Sequence, residues 1–156
     1  MKIVVNRVIM GHPYTFQHFS FSHLQYAYDK ITMGPELSSM KQNADGERKT
    51  AIHEGGHCLL AYLLNKEGVY DNKPRKMTVV RRGGALGHVS FISDESSDEN
   101  SQSLQSLRSH LVVGMGGRAA EAIFAGEEKV CTGASSDMNQ ERFWYSIGQF
   151  VDIILI

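Results

Sequence analysis

The run Thr50-Ala51-Ile52-His53-Glu54-Gly55-Gly56-His57-Cys58-Leu59-Leu60-Ala61 constrains this chain more than any other stretch. It contains His-Glu-x-x-His, a spacing that binds zinc when it lies on a helix. Residues four apart on an α-helix stand one above the other, so His53 and His57 can direct ring nitrogens at a single ion. Glu54 is turned about 100° from His53, which suits a proton acceptor beside the metal rather than a ligand on it. Between Glu47 and Leu64 only the Gly55-Gly56 pair opposes a helix. Ile52, Gly56, Leu59, Leu60 and Leu63 form one apolar stripe at helical spacing. Two glycines inside a helix destabilise it by about 1 kcal/mol each relative to alanine. Gly56 lies within the stripe and implies close backbone approach by a neighbouring element, whereas Gly55 has no such explanation in the sequence. A His-x-x-x-His pair also occurs as two ordinary half-buried histidines, so the metal reading requires a third ligand.

The remaining segments supply what that helix packs against. A chain of 156 residues makes one domain and buries roughly two-thirds of its unfolded surface. Phe19 to Met33 reads as a helix closed by Gly34-Pro35. A polar connector runs from Glu36 to Gly46, with Asp45 as the expected N-cap of the histidine-bearing helix. After a hydrophilic loop, Asn65 to Arg75, the pattern predicts a strand over Lys76–Arg81. A turn at Arg82-Gly83-Gly84 and a second strand over Ala85–Ile92 complete a hairpin or small sheet. Ser93 to Ser103 is serine-rich and acidic and reads as a solvated loop. Leu104 to Ala125 gives a second long helix interrupted by Gly114, Gly116 and Gly117, the glycines best suited to meet Gly56. A last helix, Met138 to Phe150, and an apolar tail, Val151 to Ile156, end the pattern. The expected class is α+β, mainly helical, with residues 1–45 as lead-in helix and linker and 46–156 as the histidine-bearing domain.

Charge and cysteine content narrow the function. A net charge of −1 leaves no basic footprint for nucleic acid. No apolar run reaches the 18 residues that would cross a bilayer. Cys58 and Cys131 are too few for a disulfide framework and fit a reducing compartment, with Cys58 as a core residue. Residues 1–28 carry Lys2 and Arg7 and no acid, faintly like an organellar transit peptide, with a short irregular or helical lead-in as the alternative. His12, His18 and His23 have no ligand spacing and read as surface residues.

Two residues compete as third ligand. The extended pattern H-E-x-x-H-x-x-G-x-x-H is excluded, because Leu60 and Leu63 stand where it requires Gly and His. Glu121, in the second long helix, is the main candidate. Asp137 is the other, although an Asp at a helix start is on spacing alone a cap.

Four motifs occur in one order: Asp29-Lys30-Ile31-Thr32-Met33-Gly34-Pro35-Glu36, His-Glu-Gly-Gly-His at 53–57, Gly116-Gly117-Arg118-Ala119-Ala120-Glu121, and Thr132-Gly133-Ala134-Ser135-Ser136-Asp137. Over roughly residues 20 to 145 the chain resembles the peptidase domain of FtsH-type ATP-dependent zinc metalloproteases. The resemblance implies zinc held by His53, His57 and Asp137, with Glu54 as catalytic base. It further implies an endopeptidase acting on unfolded or damaged polypeptides, a hexameric homo-oligomer, and residence in a bacterial membrane, mitochondrion or chloroplast. Membrane association would come only through segments or partners outside this chain. Family members are thought to bind unfolded chains by strand addition, for which Ala85, Leu86, Gly87, His88 and Val89 form the expected edge. His88 then reads as a strand residue, His110 as structural, and Glu121 as one candidate for the outer partner of a ligating histidine.

Three departures accompany the resemblance. The usual alanine between the motif Glu and Gly is Gly55 here. No G-x-x-x-x-G-K-[ST] loop is present, so no ATPase engine is recognisable. The family's further C-terminal helices are missing or replaced by the Ile/Leu tail. These departures set up one alternative, a truncated non-catalytic homologue that serves as a zinc-binding or oligomer partner subunit.

Overall fold

The computed structural model describes residues 20–37, 42–93 and 103–130, together with 137 and 142. Residues 1–19 of the expected lead segment, Cys131, the Thr-Gly-Ala-Ser-Ser run, the last helix apart from Arg142 and the apolar tail lie outside the described residues, as does most of the acidic loop. Four helices and a two-stranded antiparallel sheet make up the described part, in the order α1 (Phe21–Thr32), α2 (Ala44–Lys66), β1 (Asn72–Thr78), β2 (His88–Ser93), α3 (Leu104–Gly114) and α4 (Gly116–Ala125). A 3-10 turn, Glu127–Lys129, follows α4. The α+β, mainly helical class is as expected.

Helix α2 is the spine. It begins earlier than the sequence suggested, because Asn43 and not Asp45 caps it. The Asn43 side-chain oxygen accepts from the Gly46 N–H at 2.8 Å, while Asp45 and Glu47 occupy the first turn, where negative charge meets the positive end of the helix dipole. The expected apolar stripe is only partly buried. Leu59 is 58% exposed and Leu63 45%, while Ala61 is fully buried and packs with Tyr70 and Val113, bordered by Leu60, Leu64 and Phe91. The inward face of α2 is therefore rotated from the stripe toward Ala61. Tyr70 sits edge-on to both Phe91 and His110, with ring centroids 6.2 and 4.9 Å apart, so His110 is a packing residue as expected.

The hairpin exists, but its strands are shifted. β1 starts at Asn72, inside the segment that reads as hydrophilic loop, and stops at Thr78 before Val79-Val80. Backbone pairing overrides side-chain polarity here, and a bulge between Pro74 and Lys76 accommodates the proline, which has no N–H to give the ladder. The bulge aims Arg75 and Lys76 at the buried Asp29 of α1, and the Arg75 guanidinium also lies 4.2 Å from the Tyr28 ring centroid. Burial raises the Asp29 carboxyl, yet the hydrogen bonds from Lys76 and Arg75 outweigh that and hold it below its ordinary value. β2 starts at His88, so Ala85, Leu86 and Gly87 belong to the connection rather than to the strand. Arg82 pairs with Ala85 inside that connection and tightens it into a turn.

After α1, Gly34 adopts φ +84, a left-handed conformation that suits glycine, and turns the chain toward the hairpin. Arg82 donates to the Gly34 carbonyl at 3.1 Å and lies 3.5 Å from the Glu36 carboxylate, while the Leu37 N–H donates to the Arg81 carbonyl. The Met-Gly-Pro-Glu motif thus fastens α1 to the hairpin.

The second long helix is two helices, broken at Met115. Ser103 caps α3 by accepting from the Ser106 N–H at 3.1 Å. The break lets α4 cross α2 with backbone against backbone. A Cβ built on Gly56 would stand 2.1 Å from the Gly116 carbonyl oxygen, and one on Gly116 would stand 2.7 Å from the Gly56 oxygen. The glycine-to-glycine approach anticipated for Gly56 is present. Gly55 has nothing within 4 Å of where its Cβ would be.

Candidate metal centre

The crossing of α2 and α4 carries both histidines into the interior. His53 and His57 face one another edge-on, with ring centroids 4.7 Å apart and Nε2 atoms 3.1 Å apart. Each ring is fixed from behind. Glu121 Oε1, from α4, lies 2.7 Å from His53 Nδ1, and the Val113 carbonyl, from the end of α3, lies 2.8 Å from His57 Nδ1. A carboxylate and a carbonyl only accept, so each Nδ1 carries the proton and donates. Both Nε2 atoms are then left as bare lone pairs turned toward the same point.

Asp137 supplies the third acceptor. Its Oδ2 lies 3.0 Å from His53 Nε2 and 3.5 Å from His57 Nε2, is buried, and makes no hydrogen bond. With both rings neutral, three converging acceptors repel one another unless a proton or a metal cation sits between them. For zinc bonded to nitrogen and oxygen at about 2.0–2.1 Å in a tetrahedron, ligand atoms stand roughly 3.3–3.4 Å apart. The separations of 3.0, 3.1 and 3.5 Å bracket that value. Among the described residues, His53, His57 and Asp137 are the group of ligand atoms close enough to share one ion. The donor set fits zinc.

Electrostatics agree with the geometry. Burial raises the Asp137 carboxyl, but the two imidazoles outweigh it and hold the group well below the usual carboxylate range, so it is ionised. The Asp137 carboxylate raises His53 above its ordinary value. Burial lowers His57, and Asp137 with the Val113 carbonyl reverses that to a net rise. Glu54 stands next to this group without entering it. Burial pushes its carboxyl up, opposed by the two histidines.

Two glycines shape the walls. A Cβ on Gly117 would lie 2.5 Å from His57 Nε2 and 2.6 Å from His53 Cε1, so only a residue without a side chain leaves the rings where they are. A Cβ on Gly87 would lie 2.7 Å from Glu54 Cγ and 2.9 Å from Glu54 Oε1, which puts the connection before β2 directly against the Glu54 side chain. The expected edge is therefore beside Glu54, although only His88 and Val89 of its five residues are in β2. Glu121 stands behind His53 as its outer partner. The roles of Gly117 and the Val113 carbonyl were missed in the sequence; Gly117 was read only as one of the glycines suited to meet Gly56, and a backbone carbonyl leaves no sequence signal.

The model of peptidase family M41 matches residues 40–142. The chain is 40% identical over 124 residues to the chloroplastic/mitochondrial ATP-dependent zinc metalloprotease FTSH 11 of Arabidopsis thaliana, covering 80% of this chain and 15% of that protein. It is 41% identical over 114 residues to the ATP-dependent zinc metalloprotease FtsH of Caulobacter vibrioides, covering 73% and 17%. The Drosophila melanogaster ATP-dependent zinc metalloprotease YME1L is 35% identical over 121 residues, covering 78% and 16%. The chain thus spans about one-sixth of the length of these relatives. None of the described helices is long and apolar enough to cross a membrane.

Proposed function

Because the chain belongs to peptidase family M41 and carries an FtsH-type peptidase domain, we propose that it is a zinc-dependent endopeptidase of unfolded or damaged polypeptides, with His53, His57 and Asp137 as ligands and Glu54 as base. The observation that carries this reading is the meeting of three acceptor atoms, two imidazole Nε2 and one carboxylate oxygen, with both Nδ1 protons committed elsewhere.

Zinc, when bound, would supply the charge that lowers the pKa of water to about 7 and polarises a peptide carbonyl. The rest of the work falls to side chains of this chain. Glu54 accepts one proton from the attacking water as its oxygen bonds to the carbonyl carbon. It then delivers that proton to the amide nitrogen as the C–N bond breaks, giving a carboxylic acid and an amine. Its half-buried setting keeps the carboxylate basic enough for the first transfer. Glu121 and the Val113 carbonyl hold both rings in the one tautomer that can ligate. An extended substrate would pair its backbone with the edge at Ala85–Val89, beside Glu54, which recognises any unfolded chain with little regard to sequence. Homo-oligomers and an organellar or bacterial-membrane setting are what the resemblance to FtsH-type proteases implies and belong to the same proposal.

The test is casein digestion with zinc content measured on the same samples, for wild type, Glu54→Gln and Asp137→Ala. Glu54→Gln should keep zinc and lose cleavage, and Asp137→Ala should lose both. A wild type that binds zinc yet never cuts an unfolded chain would refute the enzyme and leave a zinc-binding partner subunit.

A further inference from the structure

We propose that Gln42 is a positioning residue that fixes the substrate-binding edge at its distance from Glu54. Gln42 immediately precedes the Asn43 cap of α2, and its side-chain amide bridges two elements. Its Oε1 accepts from Thr50 Oγ1 at 3.1 Å, and its Nε2 donates to the Leu86 carbonyl at 3.0 Å. The orientation of the amide follows from its partners, since a carbonyl cannot donate and the NH2 must face Leu86.

The position of the bridge gives it consequence. Thr50 is buried one turn before Glu54 on α2, and its methyl would lie 2.5 Å from a Cβ on Gly87. The same Gly87 backbone touches Glu54. The residue that Gln42 holds, Leu86, is thus the neighbour of the residue that walls the base. Leu86 and Gly87 lie in a connection outside the β1–β2 ladder, so pairing with β1 does not fix them. Through the Leu86 carbonyl on one side and Thr50 on the other, the Gln42 amide ties this stretch to the histidine-bearing helix. Without it the segment keeps its turn but loses its spacing from α2.

The kinetic consequence rests on the endopeptidase reading; the structural one does not. In the full chain, Gln42→Ala should leave zinc content as in wild type and lower the melting temperature by only about 2–4 °C, the range of one net hydrogen bond. Amide hydrogen exchange over residues 85–89 should rise about two- to tenfold, the range of one net hydrogen bond. For peptide hydrolysis, KM should rise by a similar factor with kcat little changed, because the edge binds and Glu54 reacts. Gln42→Glu is the decisive variant. It fills the same volume and still accepts from Thr50, but it sets a carboxylate against the Leu86 carbonyl. It should therefore loosen residues 85–89 more than Gln42→Ala does, whereas a side chain that only fills space would make Glu the milder change. Unchanged exchange in Gln42→Ala, or wild-type exchange in Gln42→Glu, overturns the proposal. If the wild type cuts nothing, the endopeptidase reading fails while the exchange measurement still decides the role of Gln42.

Discussion

Replacing Gly117 with alanine is the most direct test of the metal centre, because one methyl group is set against two ligands at once. The added carbon would stand 2.5 Å from His57 Nε2, 2.6 Å from His53 Cε1 and 2.7 Å from His53 Nδ1. Ordinary contact begins near 3.5 Å, so something must retreat by roughly 1 Å. If α4 retreats, the Gly116–Gly56 backbone contact opens and Glu121 withdraws from His53. If the rings move instead, His53 is driven off the Glu121 carboxylate that holds its Nδ1 at 2.7 Å. Loss of such an outer partner alone weakens metal binding about 10- to 100-fold, and displacing both ligands should reach at least the upper end of that range. The assay is competition with a chromophoric chelator, with melting of the metal-free protein measured alongside. Gly55→Ala is the matched control. It too places alanine in a helix interior, but its methyl meets nothing within 4 Å. It should gain about 1 kcal/mol and hold zinc like wild type. The difference between the two variants isolates the steric effect from helix propensity. A Gly117→Ala protein that retains zinc within about threefold of wild type would refute the packing argument, since 1 Å of ring displacement cannot be that cheap.

Two further outcomes follow from the same atoms. Glu121→Gln keeps an acceptor for the His53 Nδ1–H but removes the charge, so zinc binding by chelator competition should weaken about tenfold, and no change would mean that the carboxylate acts only as a geometric prop. His53 and His57 both sit above their ordinary values in the metal-free protein, so their contribution to stability is complete below about pH 6.5 and is lost as pH rises through the raised values. His88 and His110, lowered by burial, act in the opposite sense, so the comparison is with a His53→Ala, His57→Ala double variant that keeps them. Relative to that variant, metal-free protein should lose stability between about pH 6 and about pH 8, while zinc occupancy of the wild type rises across the same interval because ligation needs neutral rings. A stability difference that grows with pH would contradict this.

What the sequence revealed and what it hid divide along a physical line. His53, Glu54 and His57 were legible because all three stand on one helix, where spacing alone sets direction. Asp137 lies on another part of the chain, and spacing alone offered a helix cap as readily as a ligand; the four-motif resemblance tipped the balance. Glu121 was visible as an acid near the site, but whether it ligates or supports depends on a 2.7 Å contact with the far side of the ring. The strands were displaced for a different reason. Val79-Val80 looked like strand and Asn72-Lys73-Pro74-Arg75 like loop, yet the ladder follows backbone partners in β2 and the pull of Asp29 on Arg75 and Lys76. The α2 stripe misled similarly: apolar spacing shows that a face exists, but only the neighbours decide that Ala61 turns inward and Leu59 outward.

The glycines join fold and chemistry into one requirement. Gly56 destabilises α2 by about 1 kcal/mol relative to alanine, a loss that propensity alone would select against. It persists in the stripe because it lets Gly116 come into backbone contact, and that contact fixes how far α4 stands from α2. The distance has two consequences four residues, about one turn, apart on α4. It brings Gly117 under the imidazoles, where any side chain would collide with them, and it brings the Glu121 carboxylate to hydrogen-bonding range of His53 Nδ1. If α4 stood an ångström farther out, Gly117 could be alanine, but Glu121 would no longer hold His53, and its Nε2 would no longer be fixed toward His57 and Asp137. The candidate metal centre therefore depends on backbone packing as much as on its proposed ligands, because Glu121, which orients His53, reaches it only from a helix admitted by glycine.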